Sequence, residues 1–229
     1  MARKRSQGIC GLCGDRSEVT REHFVPRCLW SGPLPVRTET VPACDRCNAG
    51  SNLDDEYFRN ALVMTFDFDN PQKEQIFQGP VLRSLKRHPG WVADALRQMK
   101  IRPLLTPAGL WLGDYPALPL DGERYCRSLV KIIKGLYFLI RKHPFPADGQ
   151  IVNCAHLCAE TLPLINLIEE NLSPTFDFGD DVFEWRFGQN KEGVTMWKLS
   201  FYRSVVYYAI GFDKMVDWQA EIESRKAPQ

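Results

Sequence analysis

Four of the eight cysteines stand in two Cys-x-x-Cys pairs, Cys10/Cys13 and Cys44/Cys47, with 30 residues between the inner members. Each pair forms a knuckle that presents two thiolates to one ion, and soft sulfur favours Zn²⁺ over hard cations. The spacing therefore predicts a tetrahedral Cys₄ zinc site. Such a site contributes folding free energy directly, on the order of 10 kcal/mol in peptide models, which suits a segment with few large apolar side chains. Four unrelated buried or free thiols would not explain the pairing. Between the pairs runs Arg21-Glu22-His23-Phe24-Val25-Pro26-Arg27, and Asn48 follows the last cysteine directly. The remaining cysteines read differently. Cys154-x-His156-x-Cys158 has too few further ligands nearby for a second site, and its cysteines, with Cys28 and Cys126, read as core residues. His88, His143 and His156 read as structural or surface residues.

Cys10-x-x-Cys13, then Glu22-His23-Phe24-Val25-Pro26, then Cys44-Asp45-Arg46-Cys47-Asn48 is an order of elements that resembles the HNH (ββα-metal, His-Me finger) endonuclease family. It is similar to the zinc-containing branch typified by phage endonuclease VII. The resemblance covers about residues 8–60, roughly a quarter of the chain. It implies two antiparallel strands that carry the histidine, a helix across them, and one Mg²⁺ or Mn²⁺ between strand and helix. Oxygen donors suit such an ion, so Glu22 matches the acidic ligand and Asn48, at the helix start, the carbonyl ligand. Asn52, four residues on and on the same helix face, matches a further ligand seen in part of the family. His23 matches the general base that takes a proton from the attacking water, a task for which imidazole is suited near neutral pH. Zinc would be structural and distinct from the catalytic ion. Two departures stand out: Glu replaces the commoner Asp, and the central asparagine of the family is missing from Thr38-Glu39-Thr40-Val41-Pro42-Ala43. Thr38, Glu39 or Thr40 would have to brace the histidine loop instead. Blander readings remain open, with Asn48 a plain N-cap and Asp54, Asp55 and Glu56 a helix first turn favoured by the macrodipole.

The elements that must position these residues follow from pattern. Glu18-Val19-Thr20 and Val36 to Val41 are β-compatible, and helical spacing of Leu53, Tyr57, Phe58 and Leu62 begins after Asn48. Residues 72–103 read as helix interrupted at Gly79-Pro80 and Pro89-Gly90, and Pro103 to Gly122 as a loop. Glu123 to about Lys142 is the strongest helix, with an apolar stripe of Leu129, Ile132, Ile133, Leu136, Leu139 and Ile140, and with Lys131, Lys134 and Arg141 keeping it soluble. Another helix covers about Thr161 to Asn171. The β-branched and aromatic runs Val182–Phe187, Val194–Tyr202 and Val205–Phe212 predict an antiparallel meander, and residues 213–229 a short helix and tail. The expected fold is α+β: an N-terminal zinc-built module over residues 1–60, then a helical domain with a C-terminal antiparallel sheet over 61–229, of unknown role.

With 29 Lys+Arg against 28 Asp+Glu the chain carries +1 net, which excludes a uniform basic field. The balance is local: +3 over residues 1–50, +5 over 71–103 and −6 over 160–193. Phosphate contacts need such clustering, and Arg21, Arg27, Arg46 and Arg59 are the candidates nearest His23. The residue pattern holds no uncharged apolar run of about 18 residues, so no ordinary transmembrane helix is expected. Nor does an apolar stretch follow the basic start, which argues against a secretory signal and for a reducing cytoplasm. The expected function is metal-dependent hydrolysis of DNA phosphodiester bonds. One such site cuts one strand, so a double-strand break needs a homodimer or two events. An RNase, or a non-catalytic zinc module that binds nucleic acid or protein, is the alternative.

Overall fold

The computed structural model describes residues 5–35, 38–65, 70–105, 109–154, 162–177 and 181–214, and these form an α+β fold. The chain opens with β1 (Ser6–Ile9) and β2 (Arg16–Glu22), antiparallel with Ile9 opposite Arg16. Their tight turn holds the first cysteine pair. Cys10 N–H donates to the Asp15 carbonyl at 2.9 Å, Gly14 N–H donates to the Cys10 carbonyl at 2.9 Å, and Gly14 has φ +83°, where a side chain would be strained. After a 3₁₀ turn at Arg27–Leu29 the chain returns as β3 (Val41–Cys44), which pairs with β2 so that Cys44 faces Val19 and Val41 faces Glu22. Two short helices follow, α1 (Asp45–Ala49) and α2 (Asn52–Val63). The first covers the sheet, and the second turns Phe58, Leu62 and Val63 inward.

Asn70 caps α3 (Pro71–Ile76), its Oδ1 accepting from the Gln72 and Lys73 amides, and Pro71 sits at the first helical position, where a missing N–H costs nothing. The expected break at Gly79-Pro80 is absent. Phe77–Val81 widens into a π-helical turn that runs on into α4 (Leu82–Arg87), and the wider turn relieves the clash of the Pro80 ring with the preceding carbonyl. The break at Pro89 holds, because α5 (Pro89–Gln98) starts there as a separate helix. The loop expected over Pro103 to Gly122 is mostly a hairpin instead. β4 (Lys100–Leu105) pairs antiparallel with β5 (Trp111–Ala117), Lys100 opposite Ala117. Its strands carry Pro103, Gly113 and Pro116 and expose residues on both faces, so neither the alternation nor the composition of a buried strand was there to read.

The long helix is α6 (Gly122–Arg141), capped by Asp121 Oδ1, which accepts from the Arg124 amide at 3.1 Å, and closed by Lys142 in the left-handed region at φ 61°. Beyond it come β6 (Gln150–Cys154), which the sequence reading missed, then α7 (Leu162–Glu170), β7 (Phe176–Asp177), β8 (Phe183–Gln189), β9 (Thr195–Phe201) and β10 (Val205–Phe212). The last three are the expected meander. The five strands form one antiparallel sheet in the order β6-β10-β9-β8-β7. Its two faces follow the period of two. Trp197, Leu199 and Phe201 of β9 and Ala209 of β10 enter the main core, whereas Met196, Tyr208 and Ile210 meet Ile165 and Ile168 of α7.

One buried apolar cluster joins this sheet and α6 to the first 60 residues, running from Leu12, Val19, Phe24 and Leu29 through Phe58 and Ile132 to Trp197 and Phe201. Phe58 stacks tilted on Tyr125 at 4.7 Å and edge-on to Phe201 at 5.3 Å, and the Tyr202 hydroxyl donates to the Leu29 carbonyl at 2.8 Å. No helix among the described residues is long and apolar enough to cross a membrane. The helix expected within residues 213–229 falls largely outside the described residues, as do Val36, His156 and Cys158.

Candidate functional site

The β2–β3 pairing carries Cys44 onto the first cysteine turn, and α1 starts immediately so that Cys47 follows one helical turn later. The four sulfurs of Cys10, Cys13, Cys44 and Cys47 all lie within 4.8 Å of one another, with Cys13 and Cys44 sulfurs 3.9 Å apart. A tetrahedron of Zn–S bonds near 2.3 Å has sulfur–sulfur edges of about 3.8 Å, so this cluster fits one zinc ion. The surrounding backbone fits as well: Gly11 N–H donates to the Pro42 carbonyl at 2.7 Å, tying the two knuckles together, and the Cys44 amide donates to Cys10 Sγ at 3.4 Å. Burial, then the neighbouring Cys10 sulfur, push the Cys47 thiol well above its usual range. The cluster can hold a metal such as zinc.

A second group of side chains surrounds a cleft of about 600 Å³ between the end of β2 and the α1–α2 segment. Glu22, the last residue of β2, and His23, the next, line one wall. Asn48 and Asn52 also line the cleft, and the break between α1 and α2 at Gly50–Ser51 keeps helical backbone angles. Asn48 is buried and donates from Nδ2 to Thr20 Oγ1 at 2.8 Å, which fixes its amide against β2. Burial, then Arg27, Arg21 and Lys131, hold the His23 pKa below the ordinary imidazole value. Burial and these cations favour the neutral ring.

Three of the four candidate phosphate contacts are at this cleft. Arg21 and Arg27 are exposed at its rim, with Arg21 Nε donating to Thr40 Oγ1 at 3.0 Å. Arg59 is buried in its floor, where it donates to Asn60 Oδ1 at 2.7 and 3.0 Å and meets Glu56 at 3.4 Å. Arg46 is elsewhere. It pairs with Asp15 at 2.7 Å and borders a separate depression with Cys13, Cys47 and Lys134, because one residue after Asp45 a helix has already turned away. Nor does the Thr38–Thr40 stretch reach the histidine: Thr38 Oγ1 donates to the Pro35 carbonyl at 2.8 Å, Thr40 serves Arg21, and among the described residues none of the three side chains hydrogen-bonds His23.

Two residues have roles the sequence reading did not assign: Asp55, which lines the cleft, and Lys131, which stands behind the lining and meets two of its carboxylates. Lys131 does not keep α6 soluble: its side chain is 8 % exposed, and its Nζ lies 2.6 Å from Asp55 Oδ2 and 3.5 Å from Glu22 Oε1. Asp55 is more than a first-turn acid, since it lines the cleft and also accepts from Ser128 Oγ at 3.2 Å and Ser51 Oγ at 3.3 Å. The available signal was the helical spacing of Ser128, Lys131 and Gly135, which places a lysine on a row of small and apolar residues. Cys28, read as a core residue, is half-buried and lines the cleft. Its thiol donates to the Asp55 carbonyl at 3.5 Å, and burial pushes its pKa up to about 11, so it stays protonated and unreactive. Tyr137 packs edge-on to His143 at 5.4 Å, in keeping with a structural histidine.

The chain was compared with family models, with curated proteins and with solved structures, and none of the three comparisons yields a significant match.

Proposed function

We propose that the chain is a metal-dependent endonuclease of the HNH type, built on a zinc-stabilised ββα-metal module, and that its substrate is DNA. The observation that carries this reading is the convergence of Glu22, His23, Asn48 and Asn52 on one cleft edged by Arg21 and Arg27, next to the four-cysteine cluster. His23, kept neutral by burial and its basic neighbours, takes the proton as a water oxygen attacks phosphorus. The bond from phosphorus to the leaving deoxyribose oxygen then breaks, and that oxygen gains a proton from solvent. Glu22 and Asn48 would hold the divalent ion, with Asn52 a further ligand. When bound, the ion supplies positive charge against the developing charge on phosphate and leaving oxygen. Arg21 and Arg27 hold the phosphodiester in salt-dependent, sequence-neutral contact. In this reading the protein works in a reducing compartment, the cytoplasm, where the four thiols stay available to zinc.

The test incubates purified protein with supercoiled plasmid in Mg²⁺, Mn²⁺ or EDTA beside the His23→Ala variant. Metal-dependent nicking that falls by a factor of about 10² or more in the variant, at unchanged melting temperature, is the expected result. Equal activity in both would end the catalytic reading. A parallel RNA hairpin substrate separates DNA from RNA cleavage. The second reading, a non-catalytic zinc module that binds nucleic acid or protein, is favoured by the ion pair that already engages Glu22 through Lys131. It requires His23→Ala to bind like the parent and the parent not to cut.

A further inference from the structure

We propose that Lys131 is a positioning residue of the cleft: an internal cation that holds the Glu22 and Asp55 carboxylates and sets the charge against which a divalent ion is taken up. The functional meaning of this inference rests on the hydrolytic reading of the cleft. Lys131 enters from α6, more than 100 residues beyond His23, and its ammonium lies between two carboxylates from different elements, Glu22 of β2 and Asp55 of α2. It also donates to Ser51 Oγ at 3.2 Å, and Ser128, one turn earlier on α6, donates to the other oxygen of Asp55 at 3.2 Å. Both Asp55 oxygens are thus held from α6, with its carboxylate against the cleft.

A lysine with a nine-tenths buried side chain, next in sequence to Ile132 and Ile133, carries a desolvation cost that an apolar residue of equal length would avoid. The charge count shows what the ammonium changes. Glu22, Asp55 and Lys131 sum to −1, and the two carboxylates alone to −2, in a cleft also lined by Arg21, Arg27, Arg59, Asp45 and Glu56, so the ammonium makes the site where an ion and a phosphodiester would meet more positive by one charge. Lys131 therefore weakens uptake of the ion and strengthens the pull on the anionic substrate.

The experiment uses full-length, zinc-loaded protein and its Lys131→Met, Lys131→Gln and Lys131→Arg variants. Mn²⁺ binding is read by electron paramagnetic resonance of the free ion, and plasmid nicking is followed against Mn²⁺ concentration. Glu22→Gln identifies the site being counted. Neutral variants should bind Mn²⁺ about tenfold more tightly, the scale of removing one unit charge a few ångströms from a dication at a hydrated cleft. They should also nick at least tenfold more slowly at saturating Mn²⁺. Lys131→Arg should keep Mn²⁺ affinity within about twofold, because it keeps the charge. A purely structural lysine would lower the melting temperature and the rate without tightening Mn²⁺ binding, and that result would overturn the inference. Lys131→Gln retains hydrogen bonding to Asp55 and Ser51, so it decides the matter where Lys131→Met fails to fold. Failure of parent and neutral variants alike to bind Mn²⁺ would also overturn it. A parent that binds Mn²⁺ in the cleft but does not nick would remove the hydrolytic reading, while the affinity comparison still decides the charge role.

Discussion

At Gly135, α6 packs directly on the histidine loop. A Cβ built there would stand 2.2 Å from both Cβ and Cγ of Phe24, the residue after His23. Backbone-to-ring contact of that kind is open only to glycine, and it makes the helix a direct support for the cleft wall. Gly135→Ala should cost about 1–3 kcal/mol by overpacking. Because Phe24 must shift to make room, the variant should also lose nicking activity beyond what its lower stability explains. Chemical denaturation and the plasmid assay, run on the same preparation, separate the two effects. Lys131, one turn earlier, acts on the same wall through charge where Gly135 acts through shape.

At the scale of elements, one carboxylate adds a polar tie to the apolar packing of α7 on the sheet. Glu169 accepts from Lys198 Nζ at 2.6 Å and the Tyr208 hydroxyl at 2.5 Å on one oxygen, and from Arg186 at 2.7 Å on the other. Burial alone would raise its pKa, but the hydrogen bonds from Lys198 and Tyr208 and the Arg186 charge outweigh burial and hold it below the usual carboxylate value. A depressed folded-state pKa means stability that is present above the unfolded value, near 4.3, and is lost as pH falls through the folded one. Glu169→Gln should therefore cost about 1 kcal/mol at pH 7, discounted for the partial exposure of the group, and should flatten the loss of stability below about pH 4.5. Urea melts of both proteins from pH 3 to 7 measure it. The β4–β5 hairpin is the opposite case. Ile101, Leu104, Leu105, Trp111 and Leu112 are exposed, and the hairpin leaves the body at Lys100 and Ala117, which pair across its base. Paired residues lie about 5 Å apart, so a short Gly-Ser turn closes the gap. Replacing residues 100–117 in that way should leave zinc content unchanged and the melting temperature within a few degrees of the parent. A fall of 10 °C or more would show that the arm belongs to the core.

For the whole molecule, the zinc cluster and the shared apolar core are two supports for the same 60 residues. Zinc content by elemental analysis should be near one per chain; a value near zero would remove the Cys₄ site. Cys13→Ser with Cys47→Ser should abolish zinc binding and lower the melting temperature by 10 °C or more. The loss should be smaller than for an isolated zinc finger, because Phe24, Leu29 and Val41 are also buried in a core shared with α6 and the large sheet. Circular dichroism before and after chelation distinguishes a loosened first segment from global unfolding.

Local features were legible in the sequence because one stretch of chain decides them. The Cys-x-x-Cys pairs forecast a cluster that does close, the apolar stripe of 129–140 forecast α6, and alternating β-branched and aromatic residues forecast β8, β9 and β10. Glu22, His23 and Asn48 likewise meet at one cleft, as the order of elements suggested. Only the tertiary structure decided which charges share that cleft. Lys131 looked like a solvated face until β2 and α2 were packed against it, and Asp55 like a first-turn acid favoured by the helix dipole until Ser128 reached it. Arg46 looked like a phosphate contact until the turn of α1 carried it towards Asp15. Spacing encodes neighbours within a strand or a turn of helix, whereas an ion pair across 76 or 109 residues depends on how helices and sheets pack, and packing is set by the whole core.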